Sequence, residues 1–393
     1  MEYKIVLGHA FGDEGKGVTT QWLCQRAINE GKKPLVIRFS GGPQAAHTIS
    51  HGGVEHICSS FGSGVLLNVP TIYTSNFFLD PICFTNEMEV LESKGIKPQY
   101  SLSHIGPILI TPYDVMVGIS DEKVLKDGTC GKGIYPTFKR VEKTYPSIVN
   151  SIHIGCSEKQ MRSYAERYLQ VVKRFYGITK KDVNKKLEQR FIDSLLTIQK
   201  NNIKLSKHDF DVIIYEGTQG LLLDMEHGFY PNVTPSRVGL NGIIKQQLPL
   251  RGAEVYLVTR TYTTRHGNGY TPLYEHDLDL SQKHETNVNN QFQGEFKTGA
   301  IETSLLNTAF NRHCIDNLVK FHELSLNLVI THMDVIKNKF IFEENKASCK
   351  LVGWVDEGLS PKKVADQITE CLIYKPDHVF YNDSVESNIK QLW

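Results

Sequence analysis

No stretch of this sequence is apolar for long enough to cross a bilayer, so a membrane-spanning helix is not expected. None of the eight cysteines, at 24, 58, 83, 130, 156, 314, 349 and 371, sits in a Cys-x-x-Cys pair. That spacing excludes a zinc ribbon and a disulfide framework, and it fits reduced thiols in the cytoplasm. The first residues enter an apolar strand directly, without the basic region and apolar core of a secretory signal, which agrees with a cytoplasmic location. There is no excess of charge of either sign: 44 Lys and Arg face 43 Asp and Glu. Neither nucleic acid nor an anionic membrane surface is therefore expected as the main partner. His47, His51 and His56 are close in sequence, but glycines interrupt the segment and it has no helical register, so they do not read as a zinc set. Internal repeats, low-complexity segments and clear linkers are all missing, and residues 1–393 read as one domain.

What is present starts with Gly8-His9-Ala10-Phe11-Gly12-Asp13-Glu14-Gly15-Lys16-Gly17. An apolar run, Tyr3 to Leu7, precedes it, and Val18, Trp22, Leu23 and Ala27 follow at helical spacing. Strand, glycine-rich turn and helix form the layout that points backbone N–H groups and a helix N-terminus at a phosphate. Lys16 adds a point charge for the same anion. The spacing is not that of a Walker A loop, and Gly17 stands where that loop has a magnesium-binding Ser or Thr. A carboxylate in such a turn, Asp13, repels phosphate unless a metal lies between them or the carboxylate does proton chemistry.

Further along, Lys33 to Phe39 reads as a second strand that ends in Gly41-Gly42-Pro43-Gln44-Ala45-Ala46-His47. Ligands of open α/β sheets lie at such carboxyl ends. His47 there is either an acid or a structural histidine. Helices are expected over Pro81 to Ser93, Ser157 to Phe175 and Lys180 to Asn201, the last two forming a peripheral helical lobe near 157–205. Leu102 to Leu109, Asp211 to Tyr215, Glu254 to Arg260 and Leu326 to Ile330 read as strands, and Ile301 to Leu318 as helical. Ser236 is a candidate helix cap. The glycine-rich stretch 127–136 is either an anion-contacting loop through Thr129 and Lys132 or a plain surface loop. Leu278 to Phe296 reads as a long functional loop. The pattern is α/β: a mostly parallel central sheet flanked by helices, with the helical lobe and small β elements beside it.

Several of these segments resemble one family. Gly12-Asp13-Glu14-Gly15-Lys16-Gly17, Gly41-Gly42-x-x-Ala45-x-His47-Thr48, Gly131-x-Gly133-Ile134-x-Pro136, Glu216-Gly217-x-Gln219-Gly220-x-Leu222-Leu223-Asp224, His227-Gly228-x-Tyr230-Pro231-x-Val233-Thr234 and Thr331-x-x-Asp334 follow the order seen in the adenylosuccinate synthetase family. The resemblance implies a P-loop-NTPase-related fold, a homodimer, and a ligase that uses GTP and Mg²⁺ to join L-aspartate to C6 of IMP through a 6-phosphoryl intermediate. Asp13 is then the base, His47 the acid, and Lys16 a holder of transferring charge. Nucleotide contacts fall on Gly12, Glu14, Gly15, Gly17, Gln44, Thr129, Gln219, Leu223, Thr234 and Asp334, with Arg140 reaching a phosphate across the dimer. The ion falls to Asp13 and the Ala46 carbonyl. Three departures stand out: Gln44 for Asn, Cys130 for Thr, and Ala300-Ile301-Glu302-Thr303 where the family has an arginine run. Arg265, Lys297 and Thr298 are the candidates for the amino acid in its place. The alternatives are the phage and archaeal relatives that act on dGMP with ATP or GTP, and a non-catalytic nucleotide-binding homologue.

Overall fold

The computed structural model describes residues 1–102, 106–125, 130–143, 157–269, 296–333, 340–343, 352–355, 360–382 and 389–393. The chain begins with β1 (Glu2–Gly8), α1 (Lys16–Asn29), β2 (Pro34–Arg38), a hairpin of β3 (His47–His51) and β4 (Val54–Cys58), β5 (Thr71–Tyr73), β6 (Phe78–Leu79) and α2 (Pro81–Ser93). It continues as β7 (Tyr100–Leu102), β8 (Ile108–Leu109), α3 (Pro112–Leu125), α4 (Ile134–Lys143), α5 (Glu158–Tyr176) and α6 (Lys185–Asn201). Then come β9 (Val212–Gly220), α7 (Leu240–Lys245), β10 (Glu254–Arg260), β11 (Tyr262–His266), β12 (Phe296–Glu302), α8 (Thr303–Arg312), α9 (Ile315–His322) and β13 (Ser325–Thr331). The last elements are β14 (Phe340–Glu343), β15 (Val352–Val355), α10 (Pro361–Glu370), β16 (His378–Tyr381) and β17 (Lys390–Gln391).

Nine strands form the central sheet in the order β17-β16-β13-β10-β1-β9-β2-β5-β7. Every pairing in it is parallel except β16 with β17. A parallel sheet covered on both faces needs strands that are apolar on both faces. β1 meets this requirement: Ile5 and Leu7 pack with Ile37, Tyr215, Leu257 and Ile330 on one face, while Val6 packs with Val36, Ile214, Val258 and Val329 on the other. Leu23, Cys24 and Ala27 of α1 cover the second face, and α8 with α10 cover the first. This is the mostly parallel, helix-flanked sheet that the sequence pattern calls for.

The lobe helices are anchored to that body through α2. Met161, Leu169 and Val172 of α5 and Phe191, Leu195 and Ile198 of α6 share one buried cluster with Phe84, Met88 and Leu91 of α2. Ser157 and Gln160 form a capping box that starts α5. The second lobe helix starts at Lys185, later than its sequence suggests, because the Asn184 side chain caps it.

Several expectations are corrected. Leu102 to Leu109 is not one strand but the end of β7 and all of β8. The strand expected to stop at Tyr215 runs on to Gly220, since Glu216 and Thr218 are buried and paired rather than solvated. Ser236 caps no helix: α7 starts after Gly239, and the Ser236 hydroxyl accepts from the Gly41 N–H at 2.9 Å. Ile301 to Leu318 divides into the end of β12, α8 and the start of α9. Most of the loop expected over Leu278 to Phe296 lies outside the described residues, and Phe296 itself opens β12. The six described cysteines are free thiols, and no described helix is long and apolar enough to cross a membrane.

Phe191 is fully buried between the lobe and α2. Phe191→Ala is expected to cost about 3–5 kcal/mol in urea unfolding. A loss under about 1 kcal/mol would contradict this anchoring of the lobe.

Candidate functional site

The carboxyl ends of β1, β9, β10 and β13 meet around the Gly8–Gly17 turn. Its backbone enters the left-handed region at Gly12 (φ 109°), Asp13 (φ 60°) and Gly15 (φ 95°). Glu14 turns inward. Its carboxylate accepts the Ala10 N–H at 3.0 Å and the Gly12 N–H at 2.7 Å, and it pairs with the Lys16 ammonium at 2.5 Å. Both side chains of that pair are buried. Expected as a nucleotide contact, Glu14 instead holds the turn together from within. Gly8 has to be glycine because a Cβ there would overlap the Glu14 carboxylate.

Neighbouring strands pin the turn from outside. Arg260 Nε donates to the Asp13 carbonyl, Thr264 Oγ1 to the Gly12 carbonyl at 3.0 Å, and Thr331 Oγ1 to the Glu14 carbonyl at 2.7 Å. The Asp13 carboxylate meets His266 Nε2 at 3.1 Å. Burial works against ionisation of Asp13, but the His266 hydrogen bond and the charges of Arg260 and Lys16 outweigh it and hold the carboxyl below its usual range.

His47 opens β3 and packs on the first turn of α1. A Cβ on Gly17 would lie 2.6 Å from His47 Cβ. The residue that departs from the Walker pattern is therefore glycine because an imidazole occupies its side-chain space. His47 Nδ1 lies 2.7 Å from Glu216 Oε1, and that carboxylate also accepts the Ser63 hydroxyl and the Ser63 N–H. An ionised carboxylate only accepts, so Nδ1 carries a proton and Nε2 faces away, buried and without a partner. Burial lowers the His47 pKa, and Glu216 opposes this without reversing it. Arg38, fully buried, lies 3.8 Å from Glu216 and holds the latter ionised despite its burial.

The other expected residues that the structure describes fall into three groups. Gln44 has a buried amide with neither end paired. Gln219 accepts from Thr218 Oγ1 at 3.0 Å on the last strand turn, Leu223 packs at the edge of the core, and Thr234 is partly exposed nearby, its N–H on the Leu223 carbonyl. Ala46 is exposed next to His47. Second, β11 and β12 pair so that Arg265 faces Lys297 and Thr264 faces Thr298. Like charges opposite each other are unfavourable, and among the described residues no carboxylate pairs with either cation. Arg265 is buried over the Phe11 ring at 4.3 Å, donates to the Asn268 carbonyl and leaves Nη1 unpartnered. Burial pushes its pKa down to about 10, so it stays charged at neutral pH. Third, Arg140 is not presented to another copy: it is buried, with its guanidinium on Asp114 at 2.8 Å and on the Leu109 carbonyl. Thr129 and Asp334 lie outside the described residues. His56 gathers with Cys58 and Glu87 rather than with His47, but Glu87 already accepts the Ser59, Ser60 and Phe61 N–H groups.

Sequence reading gave no role to Arg38, Glu216, Arg260 or His266. A signal existed for the first two. Each is a charge that continues an apolar strand, in LVIR and VIIYE, and a charge buried there must find a partner.

This arrangement is that of a nucleotide-binding α/β protein, with its phosphate-binding turn at the carboxyl edge of a parallel sheet. The chain belongs to the adenylosuccinate synthetase family, whose model matches residues 5–338. It is 30% identical over 306 residues to the adenylosuccinate synthetase of Nitrosomonas europaea, covering 73% of this chain and 68% of that protein. With the Acinetobacter baylyi adenylosuccinate synthetase it shares 31% over 290 residues, 69% of this chain and 64% of that one. The fold matches the fully ligated Plasmodium falciparum adenylosuccinate synthetase with a TM-score of 0.72 at 19% identity, over 98% of both chains. A cyanophage S-2L succinoaminodeoxyadenylate synthetase, bound to dGMP and dATP, matches with a TM-score of 0.58 at 12% identity, over 99% of this chain and 95% of that one. The mostly parallel, helix-flanked architecture is thereby one this chain shares with these enzymes.

Glu216→Gln is expected to leave Arg38 an uncompensated buried cation and to cost about 3–5 kcal/mol in urea unfolding at pH 7. The folded-state pKa of Glu216 lies below the usual 4.5, so its contribution is complete above that value and is lost as pH falls through the folded pKa. The gap between wild type and variant therefore narrows in acid. A gap that widens in acid would contradict the assignment.

Proposed function

We propose that this chain joins L-aspartate to C6 of a 6-oxopurine nucleoside monophosphate, IMP, with GTP supplying the phosphoryl group and adenylosuccinate as product. The observation that carries this reading is the ionised Asp13 carboxylate inside a phosphate-binding turn, with His47 packed on the first helical turn of the same loop. A module that only binds phosphate has no use for a carboxylate in the turn and an imidazole packed on the helix that follows it.

In this reading Asp13 accepts the purine N1 proton, and O6 attacks the γ-phosphorus of GTP as GDP leaves. The aspartate amine then displaces phosphate from C6. His47 Nε2 faces O6 and donates to it once protonated, with Glu216 stabilising the imidazolium. Lys16 has three ammonium hydrogens and uses one on Glu14, so it can hold transferring phosphate charge without leaving that partner. The backbone N–H groups of Gly15 and Gly17 would face the phosphates, and Gly12 supplies the left-handed turn before them. Gln44, Thr129, Gln219 and Thr234 would hold the monophosphate, with Leu223 against the base and Asp334 reading guanine. Arg265, Lys297 and Thr298 would take the amino-acid carboxylates. In support, the two cations face each other across β11 and β12, and Arg265 Nη1 is buried without a partner.

An Asp13 oxygen and the Ala46 carbonyl are hard oxygen donors of the kind Mg²⁺ takes, and they would hold the ion, which keeps much of its own water and takes phosphate oxygens for the rest. When bound, the ion would neutralise charge on the phosphates. A homodimer belongs to the same reading. The cyanophage enzyme resembles this chain in fold alone, so dGMP is not favoured as the purine.

The test is phosphate release with IMP, dIMP, GMP and dGMP crossed with GTP and ATP, aspartate and Mg²⁺ being present. Turnover is expected to be greatest with IMP and GTP and to require aspartate. Preference for dGMP would replace the purine in this reading, and no release with any pair would overturn the reaction.

A further inference from the structure

The turn that carries Asp13 has its backbone in the left-handed region from Gly12 to Asp13, so no regular element sets the direction of the carboxylate. Strand β11 supplies what is missing. Thr264 fixes the Gly12 carbonyl, and two residues on, in the same strand, His266 Nε2 meets Asp13 Oδ2 at 3.1 Å. The His266 ring is itself held. It faces Phe296 across the β11–β12 pairing, with ring centroids 4.8 Å apart and planes at 43°. The ring thus sits between a cross-strand aromatic neighbour and the carboxylate.

Building on the reaction assigned to Asp13 above, we propose that His266 is its positioning residue: the imidazole fixes Oδ2 and so aims Oδ1 at the purine N1–H. An ionised Asp13 has only lone pairs to offer, so His266 must present an N–H at Nε2. Both the neutral and the charged imidazole can do this. The constraint is therefore geometric: one N–H on Oδ2 prevents rotation of the carboxylate and leaves its remaining lone pairs free. Misplacement of a reacting group by about 1 Å costs roughly 100-fold in rate. Loss of His266 should consequently appear in kcat rather than in nucleotide KM.

The experiment compares His266→Ala, His266→Gln, Asp13→Ala and the double variant Asp13→Ala/His266→Ala in the full chain. His266→Ala is expected to lower kcat by roughly 10- to 100-fold and to change the nucleotide KM less than about threefold. His266→Gln, whose amide N–H can reach the same oxygen, is expected to recover most of the loss. A kcat within twofold of wild type for His266→Ala, or His266→Gln as slow as His266→Ala, would overturn the proposal. Melting temperatures of the same four proteins test the contact without turnover. The double variant is expected to fall no further than the more affected single variant, whereas additive falls would mean that the two side chains do not interact. If wild type fails to turn over any purine while the melting cycle is non-additive, the contact stands and the reaction assigned to the site is what fails.

Discussion

The site depends on a carboxylate that faces inward. Glu14 gathers two backbone N–H groups and the Lys16 ammonium into the space beneath the Gly8–Gly17 turn. A buried ion pair is weak ground for stability but strong ground for geometry, because removing one partner strands the other charge at a cost of about 3–5 kcal/mol. The pair sets where Lys16 points and closes the turn so that Asp13 emerges on its outer side. It also accounts for Gly8, which has no room for a side chain over the carboxylate.

A second set of buried charges, Arg38, Glu216 and His47, is built onto the first through Gly17. The missing side chain at that position lets the His47 backbone and Cβ come against α1, so imidazole and carboxylate are referenced to the same helix start. Three strands then hold the turn from outside by its carbonyls, through Arg260, Thr264 and Thr331. The chemistry of the turn is thus distributed over β2, β9, β10, β11 and β13, although Asp13 and Lys16 are neighbours in sequence.

Apolar runs made the sheet readable. β1, β2, β10 and β13 lie where five to seven apolar-rich residues precede a polar turn, and the glycine spacing of the first turn marked Asp13, Lys16 and, by its partner turn, His47. Reading failed where polar residues are buried. Glu216 to Gly220 looks like a loop and is strand, because its one charge, Glu216, and the Thr218 hydroxyl are buried and paired inside. The β11–β12 ribbon is polar on both faces, with Thr264 and His266 on the one that meets the turn and Arg265 and Lys297 on the other, so it shows no alternation of apolar and polar residues. Glu14 and Arg140 were expected at ligands from the family resemblance alone, but each is satisfied inside its own chain. His266 carried no signal, since its partner lies in a turn more than two hundred residues away.

In the family's usual pattern an arginine run serves the amino acid, and this chain has none after Thr298-Gly299. In the proposed function Arg265 beside Lys297, across the β11–β12 pairing, would take its place, at the price of two facing cations. An anion between them relieves that repulsion, which gives the divergence a physical sense. The account as a whole rests on O6 of the purine becoming the nucleophile once Asp13 has taken the N1 proton. Turnover of IMP labelled with ¹⁸O at C6, with GTP and aspartate, tests this most directly. The account predicts that the label leaves the purine and appears in the inorganic phosphate; phosphate released without the label would contradict it.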